Sequence, residues 1–226
     1  MRKLALFDID WTLLEPSKAH ALAFKEGFRQ VYHVDATHEN LKPEGWNDQR
    51  IIIESLKQKG LSEQSIESKL GAAMKFMSDY FIKIIDKYPV VTLDGAKQLL
   101  EELYKKKVLI GVVTGNLEPI AREKLKRVGF EKYIKVGGYG SDNIDRTELV
   151  RIAIKQAENN YGFKTNHNVF LFGDTPHDIK AGKEAGVITI GVATGTYSKE
   201  KLKLAKADYV INSLSKINEI KRIILL

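Results

Sequence analysis

Apolar residues recur along this chain with two different periods, and the first change between them comes early. Leu4-Ala5-Leu6-Phe7 is a short unbroken apolar run, as in a strand buried on both faces. Over residues 17–88 the spacing becomes three and four. Ile66, Leu70, Ala73, Met74, Met77, Phe81, Ile84 and Ile85 follow Ser62 as N-cap and Glu63 in the first turn, which predicts an amphipathic helix with Gly71 as a candidate break. Ser17 to Tyr32 and Asn47 to Lys59 also read as helices, the second capped by Asn47 and stopped by Gly60. Beyond Pro89 short β-branched runs return at Val108 to Val113, Tyr133 to Val136, Val169 to Phe172, Val187 to Val192 and Tyr209 to Ile211. Helical segments starting near Leu93, Leu117, Arg146, Thr175, Lys199 and Leu214 alternate with them. The alternation predicts an α/β fold, a parallel sheet flanked by helices, interrupted after its first strand by an all-helical insert.

With 226 residues, 43% of them hydrophobic, the chain can bury a sizeable core, and no stretch approaches the roughly 20 apolar residues of a membrane span. Met1-Arg2-Lys3 before an apolar run hints at a leader, but Asp8 and Asp10 interrupt it, so a cytoplasmic protein is expected. The formal charge of +7 is spread as lysines beside glutamates, as in Glu101-Glu102 before Lys105-Lys106-Lys107. That pattern reads as solvated helix faces, so neither a nucleic acid nor a membrane is an expected partner. The mild cationic excess suits an anionic small substrate. Cysteine is absent, which removes disulfides and thiolate chemistry and leaves carboxylates as ligands for a hard, Mg²⁺-like cation.

In an open parallel sheet, ligands bind beyond the carboxyl ends of the strands. There the first run meets Asp8-Ile9-Asp10-Trp11-Thr12, the second Thr114-Gly115-Asn116, and a later one Gly173-Asp174-Thr175-Pro176-His177-Asp178. Asp8, Asp10, Asp174 and Asp178 converging on one edge would repel one another, and a divalent cation would relieve this.

In order and spacing these segments resemble the haloacid dehalogenase superfamily of phosphatases and mutases. Asp8-Ile9-Asp10-Trp11-Thr12 looks like its DxDxT motif, Thr114-Gly115-Asn116 its second motif, and Gly173 to Asp178 its GDxxxD motif. Arg146 stands where the family usually has lysine. The resemblance implies a Rossmann-like catalytic core from 1–14 and 90–226 and a helical cap from 15–89. It also implies an aspartyl-phosphate formed on Asp8, and Asp10 as acid and then base with a raised pKa. Mg²⁺ would be held by Asp8, the Asp10 carbonyl and Asp174. Thr114, Gly115, Asn116 and Arg146 would bind the phosphoryl oxygens, with Asp178 in support. The implied substrate is a small phosphorylated metabolite such as phosphoglycolate or a sugar phosphate, turned over by a monomer or homodimer. The alternatives are a β-phosphoglucomutase-like phosphotransferase and a non-catalytic phosphate-sensing regulator.

Trp11 departs from the family pattern, which very often has glycine there, and brings bulk beside the nucleophile. His20 is either a residue facing the site or a partly buried helix histidine. His177 reads either as packing or as a support behind the acids it adjoins. Asp48 and Arg50 are candidate substrate contacts within Gly45 to Arg50, a stretch that Asn47 as N-cap also explains.

Overall fold

The computed structural model describes residues 2–38, 41 and 43–225. Six parallel strands form one sheet in the order β3-β2-β1-β4-β5-β6: β1 Leu4–Phe7, β2 Leu109–Thr114, β3 Ile134–Tyr139, β4 Val169–Gly173, β5 Ile188–Val192 and β6 Tyr209–Ile211. Leu4 pairs with both Leu109 and Val169, and Phe7 with both Val112 and Phe172. This register brings the ends of β1, β2 and β4 level, at the point where strand order reverses around β1. The period of two then divides the core. Ala5, Phe7, Val112, Phe170 and Phe172 pack with Leu99 and Leu103 of α4 (Ala96–Lys105) on one face. Leu4, Leu6, Val113 and Leu171 pack with Leu149, Val150 and Ala153 of α6 (Arg146–Tyr161) on the other. Phe7 and Phe172 stack with ring centroids 4.5 Å apart, and truncating either to alanine would cost about 3–5 kcal/mol.

The insert is helical, as its periodicity predicts: α1 Lys18–Tyr32, α2 Asp48–Gln58 and α3 Glu63–Ile84. Ser62 and Asn47 cap α3 and α2 through their side chains. Gly71 does not divide α3, which runs on as one helix; a side chain there would meet only open space, so neither packing nor strain favours a break. The insert has its own core, including Phe24, Phe28, Ile52, Met77 and Phe81, and Leu117 and Ile120 at the start of α5 (Glu118–Arg127) join it. The chain crosses between insert and sheet twice, and the crossings lie together: Glu15 N donates to Val91 O and Leu93 N to Leu13 O. Helices α7 (Pro176–Glu184), α8 (Lys199–Leu204) and α9 (Ile217–Leu225) complete the alternation. Glycines 137 and 138 extend β3 beyond its β-branched run, so the strand ends later than the apolar pattern indicates.

Candidate active site

Beyond Phe7, Asp8 N still donates to Phe172 O at 2.9 Å, so strand geometry holds Asp8 at the sheet edge. Its Oδ1 accepts from Ile9 N at 2.8 Å. The chain then turns over Ile9 O, which accepts from the amides of Thr12, Leu13 and Leu14. The turn places Trp11 at φ 59°, a left-handed conformation that costs a bulky residue about 1–2 kcal/mol relative to glycine. At the end of β4, Thr175 and Asp178 form a reciprocal capping box that starts α7. A Cβ on Gly173 would lie 2.2 Å from Asp178 Cγ, so only glycine fits there.

Oxygens of Asp8, Asp174 and Asp178 lie within 4.8 Å of one another, and all three residues are buried. Arg146, at the start of α6, approaches two of them. Its Nε donates to Asp178 Oδ1 at 2.8 Å, and its Nη2 lies 2.6 Å from that atom and 3.0 Å from Asp8 Oδ2. Burial disfavours the guanidinium charge, but Asp178 and Asp8 outweigh burial and hold Arg146 firmly protonated. One cation does not neutralise three carboxylates. Burial pushes Asp8 up to about 7, against the pull of Arg146 and with the help of Asp178 and Asp10. Burial, then Asp178 and Asp8, push Asp174 up to about 9. Asp178 spends its oxygens on Arg146, Thr175 N and Thr175 Oγ1. Asp174 accepts no side-chain hydrogen bond from another described residue.

Asp10 lies in a different setting. Both its carboxylate oxygens accept from Lys124 Nζ at 2.8 Å, and Oδ2 accepts from Asn116 Nδ2 at 2.8 Å. Lys124 also donates to Asn116 Oδ1 at 2.7 Å and meets His20 Nδ1 at 3.3 Å. On its far side His20 Nε2 lies 3.0 Å from Asp48 Oδ2, which accepts from Leu117 N at 2.8 Å. This buried chain of polar groups joins α1 and α2 of the insert to the sheet. It corrects one expectation: burial alone would raise the Asp10 pKa, but Lys124 and His20, with the hydrogen bonds from Lys124 and Asn116, lower it below the ordinary carboxylate value.

Lys124 escaped the motif reading because it lies ten residues beyond Thr114, inside a helix. A signal was present: Ile120, Ala121, Lys124 and Leu125 share the buried face of α5, and a lysine on an apolar stripe needs a partner. His20 proves to be both of its readings, buried and facing the site. Asp48 starts α2 beside its N-cap Asn47 and bonds His20 as well. His177 packs against Gly45, and its pKa is lowered by burial and then by Arg146.

A cavity of about 400 Å³ opens between insert and sheet. Asp8, Asp10, Gly115, Asn116, Arg146 and Asp174 line it; Thr114 and Asp178 are buried and do not. Thr114 Oγ1 accepts from Asn116 N at 3.2 Å, so the hydroxyl shapes the turn on which Gly115 and Asn116 sit. A Cβ on Gly115 would lie 2.4 Å from Trp46 O, which explains glycine where the insert meets this turn.

The sequence model of one protein family, described as haloacid dehalogenase-like hydrolase, matches residues 5–192. Among curated relatives, a phosphoglycolate phosphatase of Vibrio parahaemolyticus is 25% identical over 224 residues, covering 96% of this chain and 95% of that protein. The pyrophosphatase PpaX of Listeria monocytogenes is 25% identical over 219 residues, with 96% and 95% covered. Among solved structures, CbbY from Rhodobacter sphaeroides in complex with phosphate superposes with a TM-score of 0.76 at 18% identity, covering 96% of each chain. A hydrolase from Pseudomonas syringae gives 0.73 at 19% identity, with 98% and 99% covered. Both structures share the fold.

Proposed function

The chain belongs to the haloacid dehalogenase-like hydrolases, and on that premise we propose that it is a Mg²⁺-dependent phosphatase that hydrolyses a small phosphomonoester through a phosphorylated Asp8. The observation that carries this reading is the convergence of Asp8 and Asp10 from the end of β1, Arg146 from the start of α6 and Asp174 from the end of β4 on one cavity at the point of strand reversal. The donor set fits a hard cation: buried carboxylate oxygens with insufficient positive charge, in a chain without thiolates. Asp8, Asp174 and the Asp10 carbonyl would hold Mg²⁺, which when bound supplies positive charge between the carboxylates and a phosphoryl group.

In the first half-reaction the Asp8 carboxylate attacks phosphorus, the bond from phosphorus to the leaving oxygen breaks, and Asp10 gives that oxygen a proton. In the second, water attacks the aspartyl-phosphate, Asp10 takes a proton from the water, and inorganic phosphate departs as Asp8 is restored. Lys124 and Asn116 keep Asp10 aimed and ionised at rest, suited to its task as base. A dianionic phosphoryl group beside it raises its pKa and so favours its task as acid. Arg146, Gly115 and Asn116 bind phosphoryl oxygens, and Thr114 and Asp178 hold these groups in place. Residues 15–89 act as a cap over the core of 1–14 and 90–226, excluding water while the first bond is made.

Transfer of the phosphoryl group to a second hydroxyl, the mutase reading, draws on His20 at the cavity wall. Phosphate release from a panel including phosphoglycolate and sugar phosphates, with Mg²⁺ or EDTA, tests the proposal. Metal-dependent release lost in Asp8→Asn is the expected result; a requirement for a bisphosphate primer would replace hydrolysis with transfer.

A further inference from the structure

The cavity that holds the carboxylates is also lined by five flat rings. The chain has two tryptophans, Trp11 and Trp46, and both line this one cavity although they come from the sheet edge and the insert respectively. His20, Phe24 and His38 add three more rings. His20 and Phe24 stack at 5.1 Å between centroids, and Phe24 and His38 meet at 4.8 Å. Trp11 is 37% exposed and keeps a left-handed backbone in which glycine would be at ease. A bulky residue kept in a strained conformation, with its ring exposed at the mouth of a cavity, points to work for the ring.

The charges along the same lining point the same way. Among the described residues of the insert that line the cavity, Glu44 and Asp48 are acidic and none is Lys or Arg. Arg50 guanidinium stacks on the Trp46 ring at 4.2 Å and is not among the lining residues. Among the described lining residues of the insert, a leaving group with a carboxylate or a second phosphate would meet Glu44 and aromatic faces, not a Lys or Arg. An uncharged ring would find stacking partners.

Resting on the phosphatase reading above, we propose that the substrate of this site is a phosphomonoester whose leaving group is an uncharged aromatic ring, held between Trp11 and Trp46. The reaction is unchanged; the rings choose what leaves.

Benzyl phosphate and phosphoglycolate make a matched pair, because each carries its phosphate on a primary carbon and they differ in a phenyl ring against a carboxylate. The expected kcat/KM favours benzyl phosphate by about tenfold or more, mainly through KM. In Trp11→Gly and Trp46→Ala the KM for benzyl phosphate rises about three- to tenfold, several times more than for ethyl phosphate. Trp11→Gly is also expected to melt no lower than the parent chain, since it relieves backbone strain. Preference for phosphoglycolate, or equal losses on benzyl and ethyl phosphate in both variants, overturns the proposal. Lys42 lies outside the described residues, and a phosphoglycolate activity lost in Lys42→Ala would overturn it in the same way. Tryptophan fluorescence separates this inference from the phosphatase reading. If no phosphomonoester is hydrolysed but benzyl phosphate, unlike phosphoglycolate, saturably changes the emission of Asp8→Asn with Mg²⁺, the ring site stands and the hydrolysis does not. No hydrolysis and no emission change overturns both.

Discussion

Asp8 and Asp10 leave the same strand with only Ile9 between them, and both carboxylates reach the same cavity. Around Asp8 lie Asp174 and Asp178 with a shared Arg146, and burial pushes its pKa up to about 7. Around Asp10 lie Lys124, Asn116 and His20, which bring its pKa down despite burial. The difference comes from the elements behind each residue. Asp8 faces the end of β4, where two more acids emerge, whereas Asp10 faces α5, which brings in a buried lysine. Neighbouring acids in opposite fields can take different parts in one reaction: one stands among further carboxylates that share a single arginine, and the other is paired with its own lysine.

The sharpest way to break the comparison is to neutralise each acid in turn. Asp8→Asn should lower phosphate release about 10⁴-fold or more, as removal of a nucleophile does. Asp10→Asn should lower it about 10²- to 10⁴-fold, as removal of an acid–base group does. Their stabilities should move in opposite directions. Without Mg²⁺ at neutral pH, Asp8→Asn removes a buried charge the fold resists, so the variant should melt higher. Asp10→Asn leaves the Lys124 ammonium without its carboxylate and should cost about 2–3 kcal/mol, at the lower end for a buried pair because Asp10 is partly exposed. Equal shifts in denaturant midpoints would remove the distinction.

Next in size is Lys124→Met. With the lysine gone, the Asp10 pKa should rise, so the acid limb of the pH–rate profile for the step that needs ionised Asp10 should move to higher pH. A fall in kcat of about 10- to 100-fold should accompany it.

Metal and pH sharpen the other half. The folded pKa values of Asp8 and Asp174 stand above their ordinary 3.8, so the folded chain keeps protons that the unfolded chain releases. Metal-free stability should therefore fall as pH rises from about 4 through about 7 towards about 9, where these acids must ionise inside the fold. Mg²⁺ should restore it, and by more at high pH than at low, because binding competes with the same protons. Thermal melts across pH with Mg²⁺ or EDTA would show this, and a metal effect independent of pH would contradict it. The smallest effect is expected of Asp48→Asn, which weakens the tie from His20 to Leu117 N. It should lower the melting temperature by about 2–4 °C, for a loss of about 1 kcal/mol.

Much of this was legible in the residues themselves. The alternation of strands and helices along the chain, the helical insert, the two acidic strand ends and the Thr114-Gly115-Asn116 strand end follow from apolar periods and from what stands after each run. Arg146 was singled out only by the resemblance, as the residue standing where the family usually has lysine. The opposite fields of Asp8 and Asp10 were not legible, because they depend on which helix face packs behind each acid. Lys124 reaches Asp10 across 114 residues of sequence, and Asp48 reaches Leu117 across 69. Gly71 misled for a related reason: an exposed glycine weakens a helix locally, but the packing of α1 along α3 carries the helix through it.

The claim that Asp8 takes the phosphoryl group while Asp10 handles protons is tested most directly by acid-quenching Asp10→Asn during turnover of p-nitrophenyl phosphate with Mg²⁺ and mapping the phosphorylated peptide. This leaving group departs without a proton, so the first step proceeds and the second stalls. The account predicts one phosphoryl group on the peptide containing Asp8, and none when Asp8 is also replaced by asparagine. A phosphoryl group on another residue, or phosphate release that persists without Asp8, would contradict it.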